Sequence, residues 1–229
     1  MTDFPRSPQL LKGALALYDT DASTSRATVV VFQYNPDQVR RTLANRTQQP
    51  TPGGGGTQGA REDVLRVAGP PVETITVSIV LNATDQLADP DANPDTAEKG
   101  LYPALAALEL MMYPPSLDAE QLERQAAAGE VQVEPANLPL TLLVLGGNRI
   151  VPVAITNFSI TEELFDPRLN PIRAKVDLGL KVLTFMEFPG TSVGRDAYIA
   201  YQKKKEELAR DFNRSTDDSR IRSYLPAGR

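Results

Sequence analysis

The sequence predicts a mainly β fold (β-rich α+β): a small barrel or sandwich with one packed helix, followed by a C-terminal helical extension. Three observations carry this. Residues 174–184 alternate, with Val176, Leu178, Leu180 and Val182 on one side and Lys175, Asp177, Gly179 and Lys181 on the other. That is the pattern of a strand with one buried and one wet face. Residues 73–81 alternate in the same way, Ile75, Val77, Ile79 and Leu81 against Thr74, Thr76 and Ser78. Residues 101–113 instead repeat apolar side chains at helical spacing, at Leu101, Leu105, Leu108 and Met112, which would cover one edge of the sheet.

Along the chain, residues 11–18 are apolar-rich and 28–34 are β-branched and aromatic, so they read as a strand pair around a polar turn at 19–26. Asn35-Pro36 ends the second strand, because proline cannot donate to a ladder. Residues 44–71 form a long polar insertion around Gly53-Gly54-Gly55-Gly56. That run lacks the Gly-Lys-Ser/Thr ending of a phosphate loop, so the segment is expected to be mobile or ordered by a partner. The 73–81 strand follows, then an acidic, proline-containing insertion at 84–100. Pro103 suits the first turn of the 101–113 helix, and Pro114-Pro115 stops it.

A third insertion covers 116–137, with a short helix expected over 119–128. Residues 138–145 and 149–160 make a hairpin around Gly146-Gly147-Asn148, residues suited to positive φ. A loop punctuated by Pro167 and Pro171 then leads into the 174–184 strand. Beyond Pro189-Gly190 a charged helix over about 195–212 carries a narrow apolar stripe, Tyr198, Tyr201, Leu208 and Phe212, and is expected to dock on another surface. The organisation is therefore a β domain at 8–188, interrupted by the insertions 44–71, 84–100 and 116–137, and an extension at 189–229.

Composition excludes several activities. The 229-residue chain has no cysteine and no histidine. Disulfides, thiolate metal sites and a Ser-His-Asp triad are therefore excluded. The net charge of −5 argues against binding a nucleic-acid backbone. No apolar run reaches the ~20 residues of a membrane span, so no membrane insertion is expected. The first residues lack the basic and apolar regions of a signal peptide, which predicts synthesis in the cytoplasm.

Two constellations invite a chemical reading. Asp89, Asp91, Asn93 and Asp95 place oxygens at alternate positions, as at the start of an EF-hand loop. Pro94 stands where that loop turns on glycine, and Gly100 stands where the bidentate glutamate belongs, so a plain Asp/Pro loop is the favoured reading. Glu162, Glu163 and Asp166 cluster beside Arg168 and Arg173. Paired carboxylates can cleave glycosides, but the chain has no tryptophan and shows no aromatic-rich sugar cleft, so local ion pairs are preferred. Lys99, Lys175 and Lys181 have no feature separating them from surface lysines. No catalytic residue and no cofactor is expected.

Two motifs and their separation carry a resemblance. Leu11-Lys12-Gly13-Ala14 leads to Val31-Phe32-Gln33-Tyr34-Asn35-Pro36, and Phe165-Asp166-Pro167 leads to Asn170-Pro171-Ile172-Arg173-Ala174-Lys175-Val176. Over residues 8–185 the chain resembles the tube-protein domain in the baseplates of contractile injection systems, the phage-tail-like particles. That family implies a tail-tube fold, two antiparallel sheets forming a small barrel with one helix. It implies hexameric rings that adapt or initiate the inner tube on the hub, spike and baseplate wedge proteins. Under this resemblance Asn35, Pro36, Phe165, Asp166, Asn170, Pro171 and Arg173 are the candidate assembly residues, Asn170 and Arg173 either fixing the loop or meeting a neighbouring subunit, with local turn bonding as the plainer role. Phe32, Tyr34 and Phe165 read as core or interface anchors rather than a ligand box.

Many members carry a C-terminal LysM module. Residues 190–229 lack its strand-helix-helix-strand pattern, so the extension is expected to dock on a neighbouring baseplate subunit. A bulk inner-tube subunit is the second reading, opposed by the insertions and the extra helix. A carbohydrate-binding or calcium-dependent domain is a third, opposed by the missing Trp, His and Cys.

Overall fold

The computed structural model describes residues 13–18, 27–32, 36–46, 67–113, 120, 123–124, 126–127, 138–188 and 190–215. The strands are β1 (Ala14–Tyr18), β2 (Ala27–Val31), β3 (Val39–Ala44), β4 (Val72–Asn82), β5 (Leu140–Val144), β6 (Ile150–Phe165) and β7 (Pro171–Val182). The helices are α1 (Thr84–Leu87), α2 (Pro94–Lys99), α3 (Tyr102–Glu109) and α4 (Val193–Ser215). Among the described residues, no helix is long and apolar enough to cross a membrane.

The strands form one antiparallel sheet in the order β2-β1-β5-β6-β7-β4-β3. The protein is therefore mainly β, as the alternation predicts, but the two-sheet barrel is not what the described strands build. The reason lies in β6. Val153 pairs with Thr141 of β5 on one side and with Val182 of β7 on the other. From there β6 stays on β7 as far as Phe165↔Pro171. A strand of 16 residues spans both halves and fuses them into a single sheet.

One face of that sheet supplies a continuous core. It runs from Leu15 and Val30 on β1 and β2, through Leu143 and Val151, to Val176, Leu178 and Leu180 on β7 and Ile75 and Val77 on β4. The register sets Ile75 against Leu180, Val77 against Leu178 and Ile79 against Val176, so the two alternating segments point the same way. Leu105 and Leu108 of α3 are buried within this core, where apolar burial supplies the main stabilising term.

Several local expectations are adjusted. The helix stripe ends on Met111, 3% exposed, and leaves Met112 37% exposed. The Met111 amide donates to the Leu108 carbonyl, so the last turn tightens and brings the residue three on from Leu108 inward. The 84–100 insertion holds two short helices, helped by Pro94 in the first turn of α2 and the Lys99–Asp95 pair. β3 was not anticipated. As a terminal strand with burial alternating only weakly, it has little periodic signal. Residues 47–66, Gln33, Tyr34, Asn35, Leu11 and Lys12, nearly all of 114–137, Pro189 and 216–229 lie outside the described residues. The glycine run, much of the expected 119–128 helix and the terminal tail fall among them.

Candidate assembly surface

The β6–β7 hairpin ends in a loop built around Asp166. Its Oδ1 accepts the Arg168 and Asn170 amides, each at 2.8 Å, and its Oδ2 accepts the Asn170 carboxamide at 2.9 Å. The Asp166 amide donates to the Asn170 carbonyl, and the Leu169 amide to the Asp166 carbonyl. This is the use of Asp as a turn-former, its side chain mimicking backbone. The hydrogen bond from the Asn170 amide, joined by those from its carboxamide and the Arg168 amide, holds the Asp166 carboxyl below its ordinary range.

Asn170 also donates to the Glu98 carbonyl at 2.9 Å. Beside it, the Leu101 amide donates to the Pro171 carbonyl and the Ala83 amide to the Ile172 carbonyl. The start of β7 is thus clasped by the segment carrying α1 and α2. Gly100 makes this possible. Its φ is +59°, and a Cβ there would stand 2.6 Å from the Pro171 oxygen, a position open only to glycine.

The tip exposes apolar side chains: Leu164 is 64% exposed, Phe165 47% and Leu169 72%. Leu164 and Leu169 also hold positive φ, 53° and 65°, which bulky residues rarely adopt. Phe165 is thus a surface residue and not a core one, whereas Phe32 is fully buried.

Arg173 and Glu163 face each other across the ladder and form an exposed pair at 3.3 Å. Arg173 also lines an open groove of about 760 Å3 with Pro36, Asp37, Gln38, Asn82 and Lys175. Pro36 of the first motif and Arg173 of the second therefore share one surface, although they are distant in sequence. The remaining carboxylate, Glu162, pairs opposite Ala174 while Glu163 pairs opposite Arg173. Consecutive strand residues point to opposite faces, so these two do not converge as an acid–base pair.

The calcium candidates are likewise not brought together. Asp89 Oδ1 accepts the Ala92 amide and Asp95 pairs with Lys99. Among the described residues, no group of three or more acidic, His or Cys side chains could hold a metal ion.

Helix α4 reaches the far end of the sheet. Tyr198 and Tyr201 join the main core, while Ala197 and Phe188 pack on Ala16, Leu140 and Leu142 of the opposite face. Arg41 of β3 donates to Glu73 at 2.6 Å and to the Tyr201 hydroxyl at 3.0 Å. The Lys205 ammonium stands 4.3 Å over the Tyr201 ring. Burial, reinforced by Glu73, raises the Tyr201 hydroxyl above its ordinary value. Burial also lowers the Lys205 ammonium, against the pull of Glu73. A second tie joins Arg46 to Glu187. Burial pushes the Glu187 carboxyl up, but the Thr184 hydroxyl and amide and Arg46 bring it below its ordinary value. Of the expected stripe, the tyrosines are buried, while Leu208 and Phe212 are 40% and 65% exposed.

Sequence reasoning missed Gly100 and the two leucines. Gly100 carries a signal, since a glycine after the basic last turn of a helix marks a C-terminal cap. Compared with known proteins, the chain matches no family model and no curated protein.

Proposed function

We propose that the chain is a non-enzymatic structural subunit of a contractile injection system, closing six to a ring between the inner tube and the baseplate hub and spike. The observation that carries this reading is the pair of strands ending the sheet. β2 and β3 lie at its two ends among the described strands, and each presents exposed apolar residues: Val29 and Val31, 52% and 51% exposed, and Leu43, 53%. Sheet edges of that kind invite pairing with another chain. A head-to-tail contact of one end with the other closes into a ring. The number six and the position in the particle come from the resemblance, and the shared groove of Pro36 and Arg173 supports it by joining its two motifs.

Under this reading the polar face of β4, β6 and β7, with Thr74, Thr76, Thr161 and Lys175 exposed, lines the channel. The outer surface, α4 included, meets the inner tube, the hub and spike, and the wedge proteins. Native mass measurement and electron microscopy of the full chain, alone and mixed with tube and hub subunits from the same source, test it. Rings of six copies are expected. A protein that stays monomeric in every mixture would overturn it.

A further inference from the structure

We propose that the β6–β7 hairpin tip of one copy seats Leu164 and Leu169 in a notch beside the end of α3 on a second copy of the chain. The notch is about 600 Å3 and is lined by Glu109, Met112, Tyr113, Phe158 and Ile160. Met112 and Tyr113 are exposed at its mouth, 37% and 62%, while Phe158 and Ile160 form a half-buried floor on β6.

The tip and the notch match in three respects. Both present apolar side chains, and the notch is roomy enough for two leucine side chains. The tip carries exposed Arg168 beside Leu169, and the rim of the notch carries exposed Glu109, so the approach is favoured by charge. Finally, the tip is preorganised. Asp166 and Asn170 lock the turn that carries Leu169, and both leucines hold positive φ and are exposed. A rigid, preformed knob loses little conformational freedom on binding.

The tip cannot fill its own notch. Leu164 follows Ile160 by four residues on the same strand, about 13 Å at the usual strand rise. Both halves of the contact are nevertheless present on every copy, at separate places. That makes a head-to-tail joint between identical chains, with no other partner required. The inference rests on the reading that copies of the chain associate, but it uses a contact distinct from the two sheet ends.

The absence of cysteine gives a clean test. Full-length Leu169→Cys and Tyr113→Cys are mixed under mild oxidation, beside a control mixture of Leu169→Cys with Ser159→Cys. Circular dichroism verifies that each variant is folded. The Leu169/Tyr113 disulfide is expected at least tenfold above the control. In that pairing, Arg168→Glu on one variant or Glu109→Arg on the other lowers the yield, and both together restore it. A yield equal to the control, or charge swaps without rescue, would overturn the proposal, as would cross-linking of Leu169→Cys solely to a different protein of the particle. Rings without the cross-link refute this contact and leave the ring reading standing. The cross-link without rings does the reverse.

Discussion

The Asn170 carboxamide donates to the Glu98 carbonyl, 72 residues away in sequence, and to Asp166 Oδ2, each at 2.9 Å. One side chain therefore fixes the hairpin turn internally and fastens it to the end of α2. Asn170→Ala removes both bonds and is expected to destabilise the fold by about 1–2 kcal/mol. Gly100→Ala acts on the same joint by a different route. It forces positive φ on alanine and drives a Cβ against the Pro171 oxygen, so a loss of about 1–3 kcal/mol is expected. Urea unfolding of both variants measures these losses. Wild-type stability for either would show that the clasp contributes nothing.

Acid should loosen the tip before the sheet. The folded Asp166 carboxyl lies below its ordinary value of 3.8. A depressed carboxylate contributes stability that is present above its unfolded pKa and lost as pH falls through the folded one. Amide exchange at Arg168 and Asn170 is therefore expected to quicken as pH drops below 3.8, relative to the intrinsic rates at each pH. Asp166→Asn should show the quickened exchange at neutral pH. Exchange at those amides that tracks the intrinsic rate throughout would refute the claim.

The sequence made the inner strands legible because burial there follows a simple period. Val176, Leu178 and Leu180 on β7 and Ile75, Val77 and Ile79 on β4 face one core, and every second residue says so. β3 escaped because Arg41, which should point outward in an apolar pattern, turns inward to Glu73. The single sheet escaped because the stagger of β6 between its neighbours is set by pairing partners, which hydropathy does not encode. At the site, Pro171 was legible as loop punctuation and Asn170 as a turn-bonding residue, whereas Asp166 read as an ion-pair partner and instead accepts backbone amides. The reach of Asn170 to Glu98 was not legible, since nothing local in a sequence reports a contact between distant segments. Exposed Leu164 and Leu169 looked like ordinary strand and loop residues, because their positive φ arises only in the folded hairpin, at a skipped position of the β6 ladder and in the turn.

The C-terminal helix is held by a mixed polar and apolar latch that should weaken in alkali. The Tyr201 hydroxyl, raised above its ordinary value of 10.0, contributes stability fully present below pH 10.0 and lost as pH rises through the folded value. Glu73, Arg41, Arg149 and Lys205 all face it. The lowered ammonium of Lys205 works in the opposite sense, adding stability as pH rises towards its ordinary value of 10.5. Tyr201→Phe isolates the tyrosine. It is expected to cost about 1 kcal/mol at neutral pH through the lost acceptor for Arg41, and the gap to wild type should shrink above pH 10. Glu73→Gln leaves Arg41 without its carboxylate and should cost about 1–3 kcal/mol. Thermal unfolding across pH decides both, and a gap that stays constant to high pH would remove the tyrosine from the latch.

The strand at one end of the sheet offers the sharpest separation of fold from assembly. In β2, Val29 pairs opposite Ala16 and Val31 opposite Ala14, while Val30 pairs opposite Leu15. Val30 is therefore turned to the core, 8% exposed, and its two neighbours are turned away, 52% and 51% exposed. Lysine on an edge strand blocks pairing with another chain while leaving the strand itself in place. The double variant Val29→Lys, Val31→Lys should thus keep stability within about 0.5 kcal/mol of wild type and lose the ring. Val30→Lys buries an unpaired charge and should unfold the domain. Native mass spectrometry beside a thermal melt distinguishes the two effects. A double variant that is folded and still assembles would mean that β2 is not where copies join, and the ring would have to close through other surfaces.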